Sequence, residues 1–222
     1  MNILLVAATA LEIQPFLQHF ELEIYSGNEF LVKSDKHQIT ILITGVGMVA
    51  TTFQLTRILE HQQFEFVIQA GVAGSYDKKL QLGTVYWVAS DRFGDLGAED
   101  HHQYLDIFQL GLQEEHQYPF QQKAFKNPIE KFPFIPLIPP VNSITVNTVS
   151  GNSATIKLRQ EHHQCQLETM EGAAFHYVCL MKQVPFLQIR SLSNYVEPRN
   201  RSSWKMSQAV LTLNKWLLSA LV

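Results

Sequence analysis

The feature that most limits how this chain can fold is a recurrence. A short, unbroken apolar run ends in small residues, a segment with helical spacing follows, and the pattern returns along the 222 residues. Residues 2–8 form the first run; Thr9 follows as a candidate helix N-cap, with Leu11, Ile13, Phe16 and Leu17 at helical spacing. Residues 38–44 form the second, ending at Gly45-Val46-Gly47 before a helix predicted over 48–60. Residues 66–69 run into Gly71-Val72-Ala73-Gly74, residues 84–90 give a further strand, and 144–149 lead into Ser150-Gly151. The pattern then predicts a helix over 152–163, a strand near 166–168, a helix over 171–182, a strand over 186–192 and a closing amphipathic helix. Strands buried on both faces lose the in–out alternation of half-exposed ones. Continuous apolar strands alternating with helices therefore indicate an α/β domain whose mostly parallel sheet is covered on both sides.

Length and a hydrophobic content of 46% allow one sizeable core, so residues 1–222 are expected to form a single domain. Residues 101–142 break the pattern, because six of the nine prolines (Pro119, Pro128, Pro133, Pro136, Pro139 and Pro140) lie there. This excursion reads as irregular structure, either a lid or interface element or an insertion tolerated at small entropic cost. A net charge of -3 with no run of Lys or Arg argues against nucleic acid or a membrane surface as partner. Cys165 and Cys179 form no Cys-x-x-Cys and read as core thiols in a reducing compartment. The first apolar run is short, lacks a preceding basic region and soon reaches Glu12, so a cytoplasmic location is expected.

In sheets of this kind ligands bind beyond the carboxyl ends of the strands, where successive loops converge. The rule selects Glu12, Gly45 to Gly47, Gly71 to Gly74, Met170-Glu171, and the group Arg190, Ser193 and Asn194. Polar groups at the end of an apolar strand either pair within the core or meet a ligand, and sequence leaves both open. Gly45-Val46-Gly47-Met48-Val49-Ala50 fits a Gly-x-Gly-x-x-Ala dinucleotide fingerprint, but the next strand ends in Gln69 where an acid is needed, and Glu65 precedes it. The glycines more modestly offer close backbone approach and free amides at a helix start. His101-His102 and His162-His163 lack metal-ligand spacing, so no metal is expected, and the 162–163 pair reads as solvated surface. The acidic stretch around Asp95, Glu99 and Asp100 is kept as a functional candidate without metal. No Gly-x-Ser-x-Gly is present, and Cys179 lies in a helical apolar pattern, so covalent catalysis is not indicated.

Four blocks in order, AATALEIQ, TGVGMVATT, QAGVAGSYDKKLQLGTV and TMEGAAF through IRSLSN, resemble the nucleosidase branch of the nucleoside phosphorylase superfamily over nearly the whole chain except the excursion. The resemblance implies a three-layer α/β/α sandwich with a mixed, largely parallel central sheet, no cofactor, a small purine nucleoside as partner, and a homodimer or higher homo-oligomer. It implies Glu12 as the base that activates water. Met170, Glu171, Arg190 and Ser193 would lie at the ribose, and Val46, Val72, Ala73 and Gly74 along the ribose and base. Trp204 would cover the 5′ substituent, and Asn194 falls where relatives carry a purine-binding Asp. Two departures bear on base packing: Val72 stands where a serine is common, and Ala154 where an aromatic stacks. Three further stretches, DRFGDLGAED, TVNTVSG and RSLSNYVEPRNRSSW, resemble a subgroup of that branch whose substrate bears a carboxylated aryl ketone beyond the ribose.

The exchange of Asp for Asn has a chemical consequence. An ionised carboxylate only accepts hydrogen bonds, whereas the amide has two donor hydrogens and an acceptor. Its NH2 can bond the carbonyl and ring nitrogen 7 of a 6-oxopurine, so hypoxanthine is the predicted base. Because Asn supplies no proton, it would stabilise negative charge on the departing base by hydrogen bonding. Arg199 or Arg201 would meet the aryl carboxylate, unless both are ordinary solvated side chains.

Overall fold

The computed structural model describes residues 1–20, 23–34, 36–101, 103–129 and 138–222. Strand β1 (Asn2–Ala7) leads through a 3-10 turn (Ala10–Ile13) into a single turn of helix, α1 (Gln14–Leu17). Strands β2 (Glu23–Ser26), β3 (Glu29–Lys33) and β4 (Gln38–Ile43) precede α2 (Met48–His61). Then come β5 (Phe66–Ser75), β6 (Val85–Phe93), β7 (Gly97–Asp100), β8 (Gln103–Asp106), β9 (Phe125–Lys126) and β10 (Pro140–Thr145). The chain finishes with α3 (Ser153–His163), β11 (Leu167–Thr169), α4 (Gly172–Met181), β12 (Phe186–Tyr195), a 3-10 turn (Arg201–Ser203) and α5 (Met206–Leu221). Among the described residues no helix is long and apolar enough to cross a membrane.

The main sheet runs β11-β10-β6-β12-β5-β1-β4-β3-β2, with β9 added to β6. β1 lies parallel to β4 and β5, and β12 parallel to β5, while β12 with β6 and β3 with β4 are antiparallel. The expected mixed sheet with a parallel centre is therefore present. β11 bonds both β10 and the end of β5, so β5, β12, β6, β10 and β11 close into a ring at one end of the sheet. On one face Phe16 and Leu17 of α1 and Leu213 and Leu217 of α5 pack against Leu5, Ile41, Ile68 and Ile189. On the other, Leu55 and Ile58 of α2 and Phe175 and Val178 of α4 pack against Leu4, Val6, Leu42 and Val67. Two helical layers sandwiching the sheet result, as the apolar strands require.

The structure extends several predicted strands. β5 continues through Gly71 to Ser75, and β12 beyond Leu192 through Ser193 and Asn194, because each is the other's hydrogen-bonded partner along that length. Gly71 to Gly74, Ser193 and Asn194, expected in loops, thus lie within strands. The register shifts between Leu192 and Asn194, leaving Ser193 as the extra residue of a β-bulge.

The described part of the excursion is also more ordered than its prolines suggest. β8 makes a hairpin with β7, β9 joins β6, and Phe120 and Phe125 pack against the α4 side of the core. Pro133, Pro136 and His102 lie outside the described residues. His163 corrects the expectation of a solvated pair: it is buried against the Gly94 carbonyl at 3.1 Å, while His162 meets Asp106 at 3.2 Å. Both cysteines are buried, as expected of core thiols.

Candidate active site

A cavity of about 450 Å³ opens at the end of the strand ring, where β1, β5, β11 and β12 finish beside the start of α5. Glu12 enters it from the 3-10 turn that follows β1. Thr9 occupies the N-cap, and its backbone amide and hydroxyl both donate to Glu12 Oε2, at 3.1 and 3.2 Å. Glu12 Oε1 accepts the Val72 amide at 3.1 Å, and Asn214 of α5 holds the Glu12 carbonyl at 2.8 Å. The carboxylate is thus aimed by three elements. Burial pushes its pKa above the ordinary 4.5, the Arg190 charge opposes that shift, and the nearby Glu171 reinforces it. Such a carboxylate takes up a proton more readily than an exposed one, which suits a general base.

Glu171 sits at the N-cap of α4, 5% exposed, and its Oε1 accepts the Gly47 amide at 3.1 Å. Gly47 has φ of 96°, a conformation that glycine adopts without side-chain strain, and it turns the chain into α2. Arg190 is 1% exposed and lies behind the cavity wall, not along it. Its Nη1 is 3.6 Å from Glu171 Oε2, and its Nη2 donates to Gln69 Oε1 at 2.8 Å. Arg190 therefore acts on the acids; the structure does not put it at the ribose itself. Gln69, which denied the dinucleotide fingerprint its acid, is the partner that holds Arg190. A methyl group at Gly71 would overlap the Arg190 guanidinium and press on Glu12 Oε1, so close approach demands glycine there.

Ser193 and Asn194 both line the cavity because the bulge interrupts the strand's side-chain alternation. Ser193 Oγ donates to Asn194 Oδ1 at 2.8 Å, with the Ala73 carbonyl as a second acceptor at 3.2 Å. Asn194 Nδ2 donates to the Tyr195 carbonyl at 3.0 Å. Met170, Val46, Val72, Ala73, Gly74 and Trp204 also line the space. Arg199 does too, its guanidinium 5.4 Å from the Trp204 ring centre; Arg201 lies 6.0 Å from that ring but outside the lining.

Sequence reasoning missed several walls. Met206 and Val210, four apart on α5, have the i, i+4 spacing that puts two side chains on one helical face. Val149 gave no signal. Its loop is tied down by buried Glu168, which accepts the Ser150 amide at 2.7 Å and the Tyr76 hydroxyl at 2.5 Å. Ala154 falls elsewhere, in a groove that α3 shares with Gly94 to Tyr104. Asp95 near that groove accepts the Asn147 amide at 2.7 Å and lies 3.7 Å from Arg159, which gives the acidic stretch a structural use. No described residue of the excursion lines the cavity.

A family model described as the phosphorylase superfamily matches residues 2–221. The chain belongs to that superfamily. Among relatives of this superfamily member, a futalosine hydrolase of Streptomyces coelicolor is 27% identical over 165 residues, covering 70% of this chain and 64% of that protein. The chain thus aligns with slightly less than two thirds of that relative's length. A 5'-methylthioadenosine/S-adenosylhomocysteine nucleosidase of Glaesserella parasuis is 24% identical over 218 residues, covering 92% of this chain and 90% of its own. In three dimensions the superfamily fold is shared with the futalosine hydrolase of Helicobacter pylori, at a TM-score of 0.79, 18% identity, and coverage of 100% of this chain and 97% of the other.

Proposed function

We propose that this protein is a purine nucleosidase that hydrolyses the N-glycosidic bond of futalosine, releasing hypoxanthine and dehypoxanthinyl futalosine, in an alternative menaquinone pathway. The observation that carries the proposal is a partly buried Glu12, its carboxylate accepting three hydrogen bonds, sharing one cavity with Asn194, whose amide nitrogen is oriented by the Tyr195 carbonyl. Similarity to the Streptomyces coelicolor enzyme supports it.

In this scheme Glu12 takes a proton from water as the water oxygen bonds to the anomeric carbon. The bond between that carbon and the purine nitrogen breaks, and its electron pair leaves with the base. Glu171 accepts hydrogen bonds from the ribose hydroxyls and favours the positive charge that develops on the sugar. An Asn194 N–H stabilises the negative charge gathering on hypoxanthine, and water completes its protonation. Trp204 covers the 5′ aryl group and Arg199 meets its carboxylate.

A second reading, hydrolysis of methylthioadenosine or S-adenosylhomocysteine, draws on the Glaesserella parasuis relative and on the ability of an amide to bond adenine through its amine and ring nitrogen 7. Phosphorolysis is less favoured, because Arg199 is the one Lys or Arg among the described residues lining the cavity. We further propose that the protein works as a cytoplasmic homo-oligomer. Val46 at the cavity mouth continues into Val49 and Phe53 on α2, which are 82% and 64% exposed, an apolar face suited to a second copy.

The test is base release from futalosine, inosine and methylthioadenosine, each with and without phosphate. Phosphate-independent release of hypoxanthine from futalosine is the expected result. Methylthioadenosine as the best substrate would overturn the proposal.

A further inference from the structure

An asparagine alone does not choose between purines. Turned one way its amide offers N–H groups to a 6-oxopurine; offering its oxygen as well, it can serve the exocyclic amine of a 6-aminopurine. Selectivity then depends on what fixes the amide and what occupies its oxygen. Here both are fixed from within the protein. The Tyr195 carbonyl can only accept, so it holds Asn194 Nδ2 on its side at 3.0 Å. The Ser193 hydroxyl donates to Asn194 Oδ1 at 2.8 Å from a side chain that is 2% exposed and lies at the bulge of β12.

We propose that Ser193 is a positioning residue for base selection, not a ribose ligand: by bonding one of the two acceptor sites of Asn194 Oδ1 it holds that oxygen on its own side and leaves the second Nδ2 hydrogen as the group offered to the base. The proposal rests on the hypoxanthine-releasing activity proposed above. Its physical basis is the asymmetry of hydrogen-bond costs. A 6-oxopurine carbonyl meets the free N–H, whereas a 6-amino group meets a donor at the same place and loses a bond. The bulge is what makes this possible, because consecutive strand residues ordinarily point to opposite faces. The hydroxyl has the Ala73 carbonyl at 3.2 Å as its alternative acceptor. The shorter separation assigns the single hydroxyl hydrogen to Asn194 Oδ1.

The experiment compares kcat/KM for futalosine and its 6-amino analogue in the wild type, Ser193→Ala, Ser193→Thr and Ser193→Cys. Ser193→Ala is expected to lower the 6-oxo to 6-amino ratio about tenfold, largely by raising activity on the amino substrate. Ser193→Thr, which keeps the hydroxyl on a strand-favouring side chain, should restore the ratio. Ser193→Cys, nearly the same size with a weaker donor, should fall between and serves if the alanine variant folds poorly. An unchanged ratio in folded Ser193→Ala, or a general loss on both substrates with no change in their ratio, overturns the proposal. Affinities for free hypoxanthine and free adenine give the same ratio without catalysis. If the wild type cleaves neither nucleoside, the hydrolase proposal fails while this binding comparison still decides the role of Ser193.

Discussion

At the scale of single residues, the proposed hydrolysis divides its chemistry between Glu12 and Arg190. Glu12→Gln keeps the shape and the accepting oxygen but has no charge with which to take a proton. Turnover is expected to fall by at least about 100-fold while ligand affinity is retained, and near-normal turnover would reject the base assignment. In that scheme Arg190 would adjust the pH at which Glu12 is ready. Its charge draws down a carboxyl that burial raises, so removing it raises that pKa further. In Arg190→Gln the acid limb of kcat/KM should move upward, while Arg190→Lys should hold it nearer the original position; pH–rate profiles of the three proteins decide this. Glu12 was legible in the sequence as an acid placed just after an apolar strand. Arg190 was legible as a functional residue but not as a buried partner of Gln69 and Glu171, because those meetings are set by strand register, which local sequence does not report.

At the scale of elements, small residues in β5 and polar ones in β12 explain both what sequence revealed and what it concealed. Gly71 to Gly74 read as a loop because glycine ordinarily weakens strands. In the structure the missing side chains make room for Arg190 and Glu12 to pack across the strand. Gly71→Ala should cost about 1–3 kcal/mol of stability from overpacking and lower turnover together with it. Thermal unfolding and turnover measured on the same preparation check this, and a variant unchanged in both would show that the neighbours give way. The start of α4 has a comparable seat. Asp91 Oδ1 accepts the Thr145 hydroxyl at 2.9 Å, and Thr145 Oγ1 accepts the Ala173 amide at 2.7 Å, fixing the turn that carries Glu171. The Met170-Glu171 motif identified the turn, but its support comes from β6 and β10, far away in sequence.

At the scale of the molecule, buried titratable groups make stability depend on pH, and three of them, two histidines and an aspartate, oppose one another. Burial holds His163 and His176 down to about 4, below the 6.5 of the unfolded chain. Their contribution is therefore present above pH 6.5 and lost as the pH falls toward 4. Asp91 is pushed up by burial to about 6 from 3.8, so folding becomes less favourable as the pH rises between those values. A shift of about two units corresponds to about 3 kcal/mol. Asp91→Asn removes the opposing contribution, so stability should fall more steeply from pH 6 to pH 4 than in the wild type. At pH 7 the variant should be more stable by up to about 3 kcal/mol. Gln188 Oε1 and His176 Nε2 have no hydrogen-bond partner among the described residues in this amide orientation, so the Gln188 amide can turn over to accept from the new Asn and donate to His176. Denaturant midpoints across pH 4 to 7 test this, and superimposable curves for the two proteins would refute it.

The closure of β5, β12, β6, β10 and β11 on themselves has a kinetic meaning. The strand segments bearing Val72 to Gly74 and Ser193-Asn194, and the turn from β11 to Glu171, belong to one hydrogen-bonded ring, so none can draw apart from its neighbours without breaking ladder bonds. The opposite wall, from Arg199 through Trp204, is joined to that ring by the bonds from Arg199 N to Gly151 O and from Lys205 N to Ser193 O. In the proposed reaction the groups carried by the ring therefore keep their spacing as substrate enters and product leaves, their orientational entropy already spent when the chain folded.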